Sequence, residues 1–213
     1  MTMTSKILNI VLALAVVILA VELYLAKQNT AAIQPEETGE MPALTAIAQR
    51  TSVRAYSDQP VEEEKVETLL RAAMAAPTAR DCRPWAFVVV KDRKVLDAIA
   101  DTLRNARMAA KAQLAIVVCG DMSVTDKEGN PSRNWPFDCS AATENLLLMA
   151  ESMGLGAVWT GVYPYEERIK AVKNALNLPE NIVPFNLIPV GYPQGAPQPK
   201  DKFDQSNIHY NVW

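Results

Sequence analysis

The stretch from Asp138 to Pro164, DCSAATENLLLMAESMGLGAVWTGVYP, constrains this chain more than any other. Leu146, Leu147, Leu148 and Met149 follow one another without a break, and four consecutive apolar residues point to every side of a helix. Asp138 or Ser140 can accept hydrogen bonds from the first free N–H groups of that helix. Gly154 and Gly156 end it, since glycine suits the left-handed residue past a helix end. Ala157-Val158-Trp159 then reads as a short buried strand, with Thr160-Gly161 at its tip. A helix with no face left for water needs either a large shell or a partner subunit.

The N-terminus is not part of that shell. Ile7 to Val21 is apolar except for Asn9, and extension to Ala26 gives a 20-residue segment, about 30 Å as a helix and enough to cross a bilayer. Residues 1–26 read either as an uncleaved transmembrane anchor or as a cleaved signal peptide that would release a soluble, secreted form. Lys6 precedes the apolar run, and Lys27 with Glu36, Glu37 and Glu40 follows it. This bias favours the N-terminus inside and the remainder on the outer, extracytoplasmic side. Residues 27–41 are polar and aperiodic and read as a tether. Residues 42–213 are one domain's worth, enough to bury about 70% of the surface that the unfolded chain exposes.

The full chain carries a charge of −3; without residues 1–41, which hold two of the 21 basic and four of the 24 acidic residues, it is −1. A near-neutral domain is not an electrostatic nucleic-acid binder. Cys82, Cys119 and Cys139 are irregularly spaced and His209 is the single histidine, so neither a zinc pattern nor a disulfide framework is legible.

Within the domain, a short helix is expected from Pro42 to Gln49. An amphipathic helix from Glu62 to Ala76 would bury Val66, Leu69, Leu70, Ala73 and Met74. Trp85 to Lys91 reads as a central strand, and Asp92 as the cap of a helix running to about Leu103. Residues 104–112 have no assignable structure. Leu114 to Cys119 reads as a buried strand, Met122 to Pro136 as a long turn-rich loop, Tyr165 to Leu176 as a helix and Val183 to Tyr192 as a strand. The polar tail beyond ends on Tyr210, Val212 and Trp213, as if to wrap over another subunit.

Arg50 and Arg54 bracket Thr51 and Ser52. Two planar donor forks and two hydroxyls in five residues suit a phosphate, although an ordinary solvated loop has the same composition. The proline-bounded segment Pro77 to Pro84 either presents Thr78 and Asp81 to a ligand or simply connects helix to strand.

Taken in order, these segments resemble the FMN-dependent nitroreductase family over residues 42–213. Arg50-Thr51-Ser52-Val53-Arg54-Ala55-Tyr56 looks like its RRSxRxF motif. Pro77-Thr78-Ala79-Arg80-Asp81-Cys82-Arg83-Pro84-Trp85 is similar to PSAxNxQPW. SAATENLLL followed by GLGAVWTG and the pair Lys200-x-Lys202 complete the set. The resemblance implies an α+β fold with a mixed central sheet flanked by helices, and a homodimer whose C-terminal tail embraces the partner. It implies FMN as cofactor, with its phosphate held by Arg50, Thr51, Ser52, Lys200 and Lys202 and its pyrimidine edge reached by Arg54. Pro77, Thr78, Ala79 and Asp81 would come from the other subunit, and Thr160 and Gly161 would offer backbone N–H groups near flavin N5. Asp81 departs from the family's Asn, which donates and accepts, whereas an ionised Asp only accepts. The implied activity is hydride transfer from NAD(P)H or another donor through N5 to an acceptor such as a nitroaromatic or quinone, and it requires no side-chain acid or base. Two alternatives stand beside it: a reductive dehalogenase similar to iodotyrosine deiodinase, with the Met122 to Pro136 loop as lid, and a membrane-tethered flavin-binding protein without turnover. An outward-facing domain would lack intracellular NAD(P)H and would need electrons from elsewhere, such as a membrane quinol.

Overall fold

The computed structural model describes residues 19–22 and 43–213. The chain divides into two units, residues 1–39 and 40–213, and the following concerns the second. The predicted 27–41 tether and all of the predicted 7–26 span except Leu19–Glu22 lie outside the described residues. No described helix is long and apolar enough to cross a membrane.

The elements run α1 (Ala43–Gln49), α2 (Glu63–Met74), β1 (Trp85–Val90), α3 (Arg93–Thr102), β2 (Leu114–Asp121), α4 (Trp135–Ser152), β3 (Gly156–Ala157), β4 (Thr160–Gly161), α5 (Glu166–Leu176) and β5 (Ile182–Gly191). The sheet order is β1-β2-β5-β3, with β4 also on β5, and every strand pair is antiparallel. A parallel bridge between Ser52 and Ala157 makes the sheet mixed. β2 explains the layering. Leu114, Ile116 and Val118 face the core shared with α2 and α4, while Ala115, Val117 and Cys119 face the core shared with α3 and α5. Helices cover both faces of the sheet, so a strand can be apolar at every position. Each fully buried Ile or Val contributes about 1.5–3 kcal/mol relative to exposure. The architecture is α+β, as expected.

Several local expectations need correction. β1 is an edge strand, not a central one, paired among the described residues only with β2. Its apolar run reflects contact with the helical layers on both faces and not a place in the middle of the sheet. Met74 is 52% exposed, because the α2 face turned to the core runs through Val66, Leu69 and Ala73. The strand expected at 157–159 is two short pieces, β3 and β4, interrupted at Val158-Trp159. α4 starts at Trp135, three residues before Asp138, with Pro136 in its first turn, where the missing N–H costs nothing. Asp138 therefore lies inside the helix and caps nothing. The α3 cap is as expected: the Asp92 carboxylate accepts from Lys94 N (2.8 Å) and Val95 N (3.3 Å). The unassigned segment holds a 3-10 run, Arg104–Ala110.

In the single chain α4 is not buried on all sides either. Leu146, Leu147 and Ala150 are buried, but Phe137 is 74% exposed and Leu148 is half-buried. Phe137, Ala141, Glu144 and Leu148 follow a helical spacing of three and four, so they form one stripe, and neither Phe137 nor Leu148 packs into either core.

Candidate functional site

The basic segment Arg50–Tyr56 lies along the sheet because of a glycine. A Cβ on Gly156 would sit 2.6 Å from Val53 Cγ1, well inside contact distance, so only glycine lets the segment reach β3. There Val53 N donates to Ala157 O (3.0 Å). Buried Tyr56 fixes the far end: its hydroxyl lies 2.8 Å from Val53 O and 3.2 Å from Pro189 O, and burial pushes its ionisation well above the ordinary range. The result sets Arg50, Thr51, Ser52 and Arg54 beside Ala157, three residues from the β4 tip.

The polar groups at this junction are unevenly partnered. Arg50 Nε lies 3.4 Å from Glu144 Oε1, and Arg54 donates to Ser52 O (3.2 Å). Thr51 Oγ1 is buried with no partner among the described residues. Burial holds the Glu151 carboxyl above its ordinary range, against the pull of the Thr51 backbone N–H and of Arg50. At β4 the Thr160 hydroxyl turns inward to Leu187 O (2.6 Å), which leaves the backbone as the polar surface of the tip. A Cβ on Gly161 would meet nothing within 4 Å. An orphaned buried hydroxyl next to an arginine, and open space over a glycine at a strand tip, suit a phosphate and a flat ring respectively.

The Pro77–Pro84 loop hangs from α4 instead. Ala79 N donates to Asp138 Oδ1 (2.9 Å), and Asp138, only 5% exposed, leaves Oδ2 buried without a partner among the described residues. Thr78 Oγ1 accepts from Arg83 N (3.1 Å). Arg80, Asp81 and Arg83 all have left-handed φ values, 55°, 55° and 51°, each a strained choice for a residue with a side chain. Asp81 and Arg83 form a two-bond fork, Nε–Oδ1 2.7 Å and Nη2–Oδ2 2.6 Å, and this pairing lowers the Asp81 pKa. Both Asp81 oxygens are thus occupied, and the donor that Asp lacks relative to Asn stands next to it on Arg83.

Among the predicted site residues, Arg50, Thr51, Ser52 and Arg54 lie on the segment bridged to Ala157 of β3, three residues before Thr160 and Gly161, which pair with β5. Pro77, Thr78, Ala79 and Asp81 are not joined to them by any hydrogen bond or ion pair among the described residues. Glu144 and Asp138, which hold the two groups, are about 9 Å apart along α4 and roughly 120° apart around it. Lys200 and Lys202 are exposed on the tail, and no ion pair or hydrogen bond among the described residues links them to Arg50. Two surface cavities, about 800 Å³ along α5 and about 510 Å³ between α2 and the β1 edge, are lined by none of these residues. In the 122–136 loop, the Asp126 carboxylate closes its own turn by accepting from Glu128 N and Asn130 N.

Sequence reasoning missed Asp138, Arg83, Asn105 and Arg168. Asp138 looked like a helix cap. Asn105 lies in the segment without periodicity, and Arg168 reads as one more charge on an amphipathic helix. The last two donate to the same atom, Gly161 O, each at 3.0 Å.

Comparison with known proteins places the fold in one family. A family model described as the nitroreductase family matches residues 47–192. The chain is 43% identical over 177 residues to a provisionally named NADH dehydrogenase/NAD(P)H nitroreductase of Methanothermobacter thermautotrophicus, covering 83% of this chain and 91% of that one. A solved structure of a protein with the same provisional name from Parabacteroides distasonis superposes with a TM-score of 0.77 at 53% identity, covering 82% of this chain and all of that one. A provisionally named nitroreductase from Desulfovibrio desulfuricans, solved in complex with FMN, superposes with a TM-score of 0.67 at 27% identity, covering 82% and 99% of the two chains.

Proposed function

The chain belongs to the nitroreductase family, and from that membership we propose that it is an FMN-dependent oxidoreductase taking reducing equivalents from a reduced donor, NAD(P)H or, for a domain on the outer side of a membrane, one such as a membrane quinol, and passing them to a small acceptor such as a nitroaromatic or a quinone. One observation carries the reading: the Arg50–Arg54 segment is pressed onto Gly156, which fixes Arg50 and the orphaned buried Thr51 hydroxyl next to β3, the strand that leads into the β4 tip and its open Gly161.

When bound, FMN supplies hydride acceptance and donation at N5. The chain's residues hold and orient it. Arg50, Thr51 and Ser52 grip the phosphate, with Lys200 and Lys202 joining from the tail. Arg54 reaches the pyrimidine edge, where its charge favours the reduced, anionic cofactor. Thr160 and Gly161 present backbone N–H groups towards N5. Pro77, Thr78, Ala79 and Asp81 serve the site of a second subunit, which accounts for their separation from Arg50 within one chain. The dimer closes over the Phe137–Leu148 stripe of α4, and the exposed Phe203, Tyr210, Val212 and Trp213 of the tail lie on the partner.

Purified protein is expected to be yellow and to oxidise NAD(P)H in the presence of a quinone or nitroaromatic. Arg50→Ala and Lys202→Ala are expected to lower FMN affinity by about tenfold or more each, the scale of one lost charge-assisted hydrogen bond. A colourless protein that ignores added FMN sinks the reading. For residues 1–26 we propose a membrane anchor with the domain on the outer side. Intact protein then stays with membranes after a carbonate wash, and release into the soluble fraction refutes the anchor.

A further inference from the structure

The β4 tip carries a hydrogen-bond arrangement that neither the fold nor cofactor binding requires. The Gly161 carbonyl accepts from Asn105 Nδ2 and from Arg168 Nη1, both at 3.0 Å, which fills both of its lone-pair directions. The N–H of the same peptide, on Val162, donates to Phe185 O (3.2 Å). One peptide unit is thus held by three bonds. It sits at a glycine, the residue whose backbone is otherwise freest to rotate.

The two donors arrive from separate elements, and each is itself fixed. Asn105 belongs to the 3-10 run Arg104–Ala110. Arg93 at the start of α3 ties down the end of that run by donating to Ala109, Ala110 and Ala112 carbonyls, each at 3.1 Å. Arg168 lies in α5 with its guanidinium 4.0 Å above the Tyr165 ring, and its bond to the carbonyl is charge-assisted. Convergence of a neutral and a cationic donor on one carbonyl exceeds what a two-residue strand needs to stay paired with β5.

We infer that Asn105 and Arg168 are positioning residues that lock the Gly161–Val162 peptide and thereby set the redox balance of the cofactor beside it. The inference rests on the reading that Thr160–Gly161 faces flavin N5. Reduced flavin carries a proton at N5 and oxidised flavin does not. A carbonyl free to turn towards N5 would accept from that proton and favour the reduced form. Asn105 and Arg168 hold the carbonyl away and leave the strand tip a donor surface. The pair therefore keeps the reduced cofactor reactive towards its acceptor.

The test uses the full-length, FMN-loaded chain and measures the reduced-to-oxidised ratio of the bound flavin against a reference dye. Asn105→Ala is expected to shift that ratio towards reduced flavin by about fivefold, the scale of one net hydrogen bond; Arg168→Met, which also removes a positive charge that favours the reduced anion, should shift it the same way but by less. Arg168→Lys, which keeps a cationic donor, should lie between Arg168→Met and the wild type. Affinity for oxidised FMN should stay unchanged, because the phosphate-binding cations are untouched, so the shift appears as a correspondingly tighter hold on the reduced form. Asn105→Asp keeps the shape but opposes an acceptor to the carbonyl, and it carries the test should either truncation fail to fold. Folded, FMN-loaded variants with the wild-type ratio overturn the inference, as do variants that lose thermal stability without moving it. Wild-type protein that binds no FMN overturns the functional reading itself, before any variant is made.

Discussion

At the scale of single residues, the site depends on one missing methyl group and one costly carboxyl. Gly156→Ala places a Cβ 2.6 Å from Val53 Cγ1, so the basic segment must move off β3 or Val53 must repack. Overpacking of this kind costs about 1–3 kcal/mol. The expected outcome is a lower melting temperature together with a reduced flavin-to-protein ratio; an unchanged ratio would mean that the close approach does not place the site. Glu151 gives a pH-dependent prediction. Burial raises its folded-state pKa above the unfolded value, so the native state binds more protons than the unfolded state between the two values and stability falls as pH rises through that window. Glu151→Gln removes the penalty. The variant should be more stable than wild type at pH 7, with the difference shrinking as pH falls below the ordinary carboxylate range. Denaturant midpoints at several pH values read this directly, and a difference that grows on acidification refutes it.

At the scale of elements, α4 organises the site from two sides. Its middle faces Arg50 through Glu144, and its first turns hold the Pro77–Pro84 loop through Asp138. Three left-handed residues in that loop are strained conformations that persist only where surrounding contacts enforce them. Asp138→Ala removes the acceptor for Ala79 N–H and should cost about 1–3 kcal/mol. Hydrogen exchange at the Ala79 amide should accelerate more than exchange in β2; equal acceleration throughout the domain would mean that Asp138 supports the core and not the loop. Much of this level was legible in the sequence. The Asp92 cap, the 165–176 helix and the buried strand at 114–119 each follow from local chemistry. The role of Asp138 was not legible, because an acidic residue in a first helical turn reads as a cap whatever its side chain reaches.

At the scale of the whole molecule, the open stripe of α4 and the exposed tail lead to the same expectation. Phe137 and Leu148 lie outside both cores, and Tyr210, Val212 and Trp213 are exposed at the chain end. The chain should sediment as a dimer. Leu148→Glu should shift it towards monomer and, with the partner's loop removed, release FMN. A Leu148→Glu protein that remains a fully loaded dimer would place the interface elsewhere.

The sequence by itself determined the order of most helices and strands and the residue types of a phosphate grip, since helix stops, caps and apolar runs act within a few residues of chain; the α+β class came with the family resemblance. It also carried the motif order on which the family resemblance rested. Tertiary structure decided β1's place at the edge of the sheet, the approach of Arg50–Arg54 to β3 across Gly156, the hold of Asp138 on Ala79, and the meeting of Asn105 and Arg168 at Gly161. β1 meets β2 across 25 to 35 residues of chain, and the other contacts join residues 50 or more apart, except Arg168 and Gly161, which meet only because β4 and α5 fold back on each other. No periodicity encodes such contacts, because they exist only once the sheet has closed and brought its helical layers into contact.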